Sequence, residues 1–210
     1  GFKVVCLECE NIPFNYEEYD EVRNIKETVR SGADHFIAVT ERAKDALMLE
    51  GVPEEKIDVI AMGIDLTRFS PDDTEARGYR RKLGIDDNEV VVLYIGRMVW
   101  EKGIYDFIHA AGRVLRDKSS NSISTRFIMA GSGQELEALR VRAERLGISN
   151  NIIFLENTPY EDIHKLHNLA DIFVLPSIPV KNWQEQFGMV LIESMACGTP
   201  VISTLSGSIP

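Results

Sequence analysis

The stretch Glu185–Ser203, EQFGMVLIESMACGTPVIS, combines one predicted helix with one predicted strand. From Phe187 to Cys197 it is apolar on nearly every face, which predicts a buried helix. The segment Pro200–Ser203 that follows is predicted as a strand. A buried helix next to a short apolar strand is typical of an α/β protein with a parallel sheet.

Two carboxylates of this stretch, Glu185 and Glu193, are eight residues apart with no other charged residue between them. Glu193 is the only acidic residue within the predicted helix, and a buried carboxylate is costly unless it is hydrogen-bonded. Glu185 precedes the helix, so the pair suits a ligand that carries several hydroxyl groups. Alternatively, Glu193 pairs with a neighbouring backbone or basic group and has only a structural role.

Helices and strands alternate along the rest of the chain, in two series. The first series has predicted helices at Glu17–Arg30 and Glu41–Glu50, the second with Thr40 as its N-cap, and predicted strands at Phe2–Leu7, His35–Val39 and Lys56–Ile60. The second series has predicted helices at Glu75–Leu83, Tyr105–Arg116, Gln134–Leu146 and Tyr160–Ala170, and predicted strands at Glu89–Ile95, Ser124–Ala130, Asn151–Leu155 and Ile172–Leu175.

The segment Gly63–Pro71 between the two series is rich in turn residues and has no clear period, so we interpret it as a crossing between domains. Alternation of this kind predicts right-handed βαβ units. The fold class is therefore α/β, with two Rossmann-like parallel-sheet domains at residues 1–66 and 67–210. Because the chain opens on the strand-like GFKVVCLE and ends in a loop, we expect both domains to be incomplete in it.

Composition excludes several classes of protein. The 210 residues are 44% hydrophobic and 27% charged, as in ordinary globular proteins, and the net charge of −10 argues against a nucleic-acid partner. The three cysteines favour a reducing compartment, and the pair Cys6 and Cys9 has metal or redox spacing without a second pair. His164 and His167 are interpreted as solvated or partly packed, so no metal site is predicted.

Ligands of open parallel sheets bind beyond the carboxyl ends of the strands, so the loops there carry the candidate site. After the strand that ends at Ile95 comes Gly96-Arg97-Met-Val-Trp-Glu-Lys102-Gly103. Two cations beside the start of a helix suit a phosphate or a diphosphate. The alternative is that Arg97 and Lys102 are solvated surface cations.

Two more loops follow strands in the same way. Gly131-Ser-Gly133 resembles part of a dinucleotide fingerprint, but the third glycine position is Leu136, so a nicotinamide cofactor is only weakly indicated. The second loop, Pro176–Glu185, leads to the helix that carries Glu193. We predict that Phe187, Gly188, Met189 and Val190 begin that helix and offer free N–H groups to a sugar or an anion.

Together, GRMVWEKG, GSG, ADIFVLPS and EQFGMVLIESMACGTPVIST closely resemble the donor-binding half of family 4 retaining glycosyltransferases, which have the GT-B fold. The segment SGADHFIAVTERAKDALMLEGVPEEKIDVIAMGIDLTRFSP resembles the end of their N-terminal domain and the linker. The resemblance covers about residues 33–210. The Gly-rich loop and the histidine that the family carries in its N-terminal half have no match here.

The resemblance implies a role for each matching residue. Arg97 and Lys102 would hold the diphosphate of a nucleotide sugar, Glu193 would accept hydrogen bonds from the ribose, and Glu185 would contact the transferred sugar. Backbone N–H groups of Phe187 to Val190 would touch the sugar and the diphosphate. Gly131 to Gly133 would line the phosphate channel, and Thr158 would lie near the nucleobase. Gly96 would also belong to the donor-binding residues.

The resemblance further implies transfer of a sugar to an acceptor hydroxyl with retention of anomeric configuration. No Asp-x-Asp motif occurs in the sequence, so we expect neither a metal nor another cofactor. The acceptor would be a sugar, a lipid-linked group or another hydroxyl compound. The protein would be located in the cytoplasm, including the cytoplasmic surface of the membrane. Alternatives are a nucleotide-sugar-binding module without activity, a GT-B sugar-nucleotide epimerase and, more distantly, a nicotinamide dehydrogenase. We expect the 210-residue chain alone to bind nucleotide without turnover.

Overall fold

The computed structural model describes residues 2–117 and 123–209. Contacts divide the chain into two compact units. Unit 1 consists of Gly1–Gly63, Pro179–Gly188 and Leu205–Pro210, and unit 2 of Ile64–Ile178 and Met189–Thr204. Units defined by contacts need not fold independently, so the predicted division into domains 1–66 and 67–210 stays a prediction.

Unit 1 contains a parallel sheet of three strands in the order β1-β2-β3. Its strands are β1 (Val5–Glu8), β2 (His35–Ala38) and β3 (Ile57–Val59), and its helices are α1 (Asp20–Gly32) and α2 (Glu41–Leu49). The predicted N-cap of α2 is confirmed, because the Thr40 hydroxyl accepts a hydrogen bond from the Ala43 N–H over 3.1 Å. The buried core of this unit centres on Phe36, Leu47 and Ile57.

Unit 2 contains a parallel sheet of five strands in the order β6-β5-β4-β7-β8. The strands are β4 (Val90–Ile95), β5 (Thr125–Ala130), β6 (Ile152–Leu155), β7 (Ile172–Leu175) and β8 (Val201–Ser203). Val91, Leu93 and Tyr94 of the central strand β4 are fully buried. The predicted α/β fold class with two parallel sheets is therefore confirmed.

The helices of unit 2 are α3 (Asp73–Lys82), α4 (Ile104–Val114), α5 (Leu136–Leu146), α6 (Ile163–Leu169) and α7 (Met189–Ala196). Helix α4 packs against α5, whereas α6 packs against α3 and α7, so the helices form two groups. In the described part of the chain, none of the helices combines the length and the apolar character that a membrane span needs.

The start of α7 differs from the prediction, which placed Phe187 and Gly188 in the helix. The helix begins at Met189, and Gly188 has a φ of 81°, a left-handed conformation that an α-helix does not contain. The apolar run therefore starts two residues before the helix does. Similarly, the helix predicted from Tyr160 begins as a short 3₁₀ turn, Tyr160–Asp162, and becomes α-helical at Ile163.

Candidate functional site

The loops that follow β4 and β5 are hydrogen-bonded to each other beyond the ends of the strands. The Gly96 N–H donates to Ala130 O over 3.0 Å, and the Met98 N–H donates to Ser132 O over 2.8 Å. Gly131 has a φ of +134°, and a Cβ atom at this position would lie 2.0 Å from Gly96 O. Glycine is therefore required where the two backbones meet.

Gly133 has the same kind of role. A Cβ atom there would lie 2.4 Å from Met98 O, and its φ is +158°. Both glycines of the Gly131-Ser-Gly133 loop thus allow close packing against the loop after β4. This packing explains the two glycines without a dinucleotide cofactor.

A cleft of about 280 Å³ opens at the carboxyl ends of β4, β5 and β6. It brings together four of the predicted site residues, which are Gly96, Arg97, Gly131 and Thr158. The remaining lining residues are Ile95, Ala130, Ser132, Asn157 and Ile163. The cleft combines one arginine, backbone groups of two glycine loops and small polar side chains, and this combination can bind an anionic, hydroxyl-bearing ligand.

Lys102 lies at the end of the 3₁₀ turn Trp100–Lys102, directly before α4. The next residue, Gly103, has a φ of +68°, and a Cβ atom on it would lie 1.8 Å from Pro176 O. The Ile178 N–H also donates to Glu101 O over 2.8 Å. The loop that carries Lys102 is therefore fixed against the loop that follows β7.

Glu193 is buried in α7, with 3% of its surface exposed. Its Oε1 accepts a hydrogen bond from the Tyr160 hydroxyl over 3.0 Å. Its Oε2 lies 3.5 Å from Nε2 of His167, which is longer than an ordinary hydrogen bond. Burial and the hydrogen bond to Glu193 raise the pKa of Tyr160, so the phenol remains a donor.

His167 is fully buried, so its interpretation as solvated or partly packed was wrong. The reason is its position on α6, where the ring packs in edge-type contacts against Phe69 and Phe173 at centroid distances of 6.2 and 5.3 Å. Burial lowers the pKa of His167 and favours the neutral ring, although Glu193 acts in the opposite direction. Burial also raises the pKa of the nearby Cys197 thiol to about 11, with a further contribution from Glu193.

Glu185 belongs to unit 1 and is buried, with 6% of its surface exposed. Its carbonyl oxygen accepts hydrogen bonds from Asn11 Nδ2 over 2.7 Å and from the Ser208 N–H over 2.9 Å. Gly207, which directly precedes Ser208, has a φ of +58°, and a Cβ atom on it would lie 1.8 Å from the same oxygen. The backbone at Glu185 is therefore fixed by segments from both ends of the chain.

The predicted site residues thus fall into two sets. Glu185, Phe187 and Gly188 pack in unit 1, whereas Met189, Val190 and Glu193, like the residues of the cleft, pack in unit 2. Each set also contains residues that were not assigned to the site from the sequence. These are Asn11 and Gly207 in unit 1, and Tyr160 and His167 in unit 2. Only Gly207, in a Ser-Gly-Ser turn sequence, had a local signal.

Curated relatives align with most of this chain. A D-inositol 3-phosphate glycosyltransferase of Segniliparus rotundus is 36% identical over 156 residues, which are 74% of this chain and 33% of the relative. The enzyme of the same name from Corynebacterium jeikeium is 34% identical over 200 residues, which are 92% of this chain and 46% of the relative. The chain therefore spans about a third to a half of the length of these relatives.

Solved structures share the fold. The Anabaena protein HepE, in complex with UDP and glucose, matches with a TM-score of 0.79 and 24% identity over 98% of this chain and 53% of HepE. WaaG, a glycosyltransferase involved in lipopolysaccharide biosynthesis, matches with a TM-score of 0.74 and 22% identity over 92% of this chain and 52% of WaaG. At these identities the likeness establishes the fold alone.

The model of the family "Glycosyl transferases group 1" matches residues 76–210. The match includes the glycine loops, the cleft and both glutamates of the Glu185–Glu193 stretch. This chain belongs to the group 1 glycosyl transferases.

Proposed function

We propose that the full-length protein is a retaining glycosyltransferase that transfers a sugar from a nucleotide-diphosphate sugar to an acceptor hydroxyl. The observation that carries this proposal is the cleft at the ends of β4, β5 and β6, where Arg97 lies beside the glycine loops at Gly96 and Gly131. Family membership supports it, as does the binding of UDP-glucose by the structurally similar HepE.

Breaking the bond between the sugar and the diphosphate places negative charge on the leaving nucleoside diphosphate. Arg97 and Lys102 would stabilise this charge, because fixed cations need little reorganisation as the charge develops. The sequence has no Asp-x-Asp motif, and we propose that these two cations provide the charge that a divalent ion supplies in metal-dependent transferases.

Each remaining site residue would hold the donor. Glu193 would accept hydrogen bonds from the ribose hydroxyls, and Glu185 would contact the transferred sugar. Thr158 would lie near the nucleobase, and the backbone at Phe187, Gly188, Met189 and Val190 would contact the sugar and the diphosphate. For retention, we propose attack on the face of the leaving group, whose phosphate takes the acceptor proton, so that no protein nucleophile is needed.

The reaction needs an acceptor that carries a free hydroxyl group. The names of the curated relatives make D-inositol 3-phosphate the first acceptor to test, followed by simple sugars and lipid-linked sugars. The three free cysteines fit a reducing compartment, and we propose that the protein acts in the cytoplasm or at the adjoining membrane surface.

The test is a thermal-shift screen of UDP-, GDP- and ADP-sugars with the full-length protein, since a ligand of the native state raises the melting temperature. The donor that gives the largest shift is then incubated with the acceptors, with and without a chelator, and the anomeric configuration of the product is read by NMR. We expect a retained configuration and an unchanged rate in the chelator. Binding without transfer to any acceptor would favour a binding module, and an epimerised sugar nucleotide would favour an epimerase.

A further inference from the structure

The imidazole ring of His167 lies next to the carboxylate of Glu193. Helix α6 carries the histidine and α7 the glutamate, and Nε2 lies 3.5 Å from Oε2. The histidine backbone is also fixed, because the Thr199 hydroxyl donates to His167 O over 2.7 Å. The backbone that carries the ring is thus anchored next to the helix that carries the carboxylate.

The surroundings of the ring are apolar and leave its nitrogens unsatisfied. Phe69 and Phe173 make T-shaped ring contacts with the imidazole, and His167 is completely buried. Within residues 2–117 and 123–209, neither ring nitrogen has a hydrogen-bond partner at normal geometry. Because a buried polar group without a partner destabilises a fold, a histidine at this position calls for an explanation that packing alone does not give.

Chemistry limits what the ring can do. A neutral imidazole has one N–H donor, and a proton on Nε2 points the donor at Glu193. The carboxylate has about four acceptor directions on its two oxygens, and Tyr160 occupies one on Oε1. A donor from His167 on Oε2 would fix the rotation of the carboxylate and leave acceptor directions on both oxygens.

We propose that His167 is a positioning residue, which holds the Glu193 carboxylate in the orientation that accepts hydrogen bonds from two vicinal hydroxyls of the donor ribose. This inference rests on the proposed function, in which Glu193 contacts the ribose. His167 itself does not touch the donor. It acts by directing an Nε2–H donor at Oε2, which prevents the carboxylate from turning.

The experiment measures recognition of the ribose hydroxyls separately from overall binding. Calorimetric titration of the full-length protein with UDP, GDP and ADP identifies the preferred base, and that nucleotide is compared with its 2′,3′-dideoxy counterpart. We expect the wild type to bind the dideoxy compound about 10- to 100-fold more weakly, since hydrogen bonds to a buried carboxylate are lost. We expect this ratio to fall to about 3-fold or less in His167→Phe, with the dideoxy affinity unchanged.

Two further variants separate positioning from packing. His167→Gln places an amide donor near the position of Nε2 and is expected to keep most of the ratio. Phe173→Leu changes a buried ring beside His167 and is expected to lower the melting temperature without changing the ratio. If His167→Phe does not fold, His167→Asn replaces it, because its shorter amide does not reach the position of Nε2.

The outcomes distinguish this inference from the proposed function. A wild type that binds both nucleotides equally well would contradict the ribose role of Glu193, and with it the proposed site. A wild type that discriminates, together with a His167→Phe variant that discriminates equally well, would overturn the role of His167 alone. A double-mutant cycle adds a second criterion: in a Glu193→Gln background, His167→Phe is expected to change the ratio by less than about 2-fold, and independent losses would refute the coupling.

Discussion

The Tyr160 hydroxyl and Glu193 Oε1 are 3.0 Å apart and join the loop after β6 to helix α7. In the sheet, β6 is an edge strand, whereas α7 follows β7 on the other side of β4. The bond therefore connects segments that follow two non-adjacent strands of the sheet. It ties the segment proposed to lie near the nucleobase to the carboxylate proposed to contact the ribose.

Tyr160→Phe should weaken binding of nucleoside diphosphate by about 3- to 10-fold, because one hydrogen bond that orients Glu193 is lost while the ring remains. Calorimetry of the full-length variant checks this expectation. A change in melting temperature without a change in affinity would mean that the bond only stabilises the fold.

The same bond predicts a titration effect. Burial contributes most to the raised pKa of Tyr160, and the bond to the Glu193 carboxylate adds to it, since an acceptor stabilises the protonated phenol. In Glu193→Gln the pKa of Tyr160 should therefore move down toward its ordinary value. NMR of a ¹³Cζ-tyrosine-labelled sample measures the shift, and an unchanged titration curve would rule out the contribution of the carboxylate.

Arg97→Ala and Lys102→Ala should each lower kcat about 10²- to 10³-fold, with a smaller change in KM, because the charge that they stabilise develops in the transition state. Steady-state kinetics with the donor from the thermal-shift screen provide the measurement. Arg81→Ala, which removes an exposed arginine of α3, is the matched control and should retain full activity. Near-normal rates in both site variants would show that the diphosphate binds elsewhere.

Gly131→Ala should destabilise unit 2 by about 2–5 kcal/mol, because the new Cβ overlaps Gly96 O and the backbone is left-handed. Gly78→Ala, within α3, adds its Cβ in open space and should be neutral or stabilising by about 0.5–1 kcal/mol. Urea denaturation of both variants tests the difference. Equal stability would mean that the two glycine loops are not in contact.

Glu89 gives a pH dependence whose sign can be stated. Burial raises the pKa of Glu89, but hydrogen bonds from the Asp86 N–H and from Arg126 together outweigh burial and leave the pKa below its ordinary value. A lowered folded-state pKa stabilises the fold above the unfolded-state value, and this contribution is lost as the pH falls through the folded-state pKa.

Glu89→Gln should accordingly cost about 1–3 kcal/mol at neutral pH, and its deficit relative to the wild type should shrink as the pH falls to about 3. Urea denaturation across this pH range tests the prediction. Glu137→Gln is the control, since this carboxylate is 84% exposed and should matter by less than about 0.5 kcal/mol. A deficit that stays constant with pH would assign the effect of Glu89 to packing.

The sequence predicted the strands and the loops of the candidate site because both leave local signals. The apolar run of β4 and the glycines at Gly96 and Gly131 follow directly from residue types and their spacing. The start of α7 was misplaced because the apolar pattern continues through Phe187 and Gly188, although the backbone at Gly188 is left-handed. Hydrophobic pattern indicates burial, and it does not fix the residue at which a helix begins.

Long-range pairs could not be predicted in the same way. His167 and Glu193 are 26 residues apart on different helices, and their contact depends on how α6 packs against α7. Asn11 and Glu185 are 174 residues apart, and nothing local marks either as the partner of the other. Such pairs follow from tertiary packing, which a single sequence does not specify through spacing.

The backbone position of Glu185 has a consequence for the synthesis of the protein. Its carbonyl oxygen needs Asn11, which leaves the ribosome early, and Ser208, which is translated 23 residues after Glu185 itself. At typical elongation rates of about 5–20 residues per second, the turn at Glu185 stays without its last partner for at least one to a few seconds. We therefore expect this part of the candidate site to mature late, after the glycine loops of β4 and β5 have been synthesised.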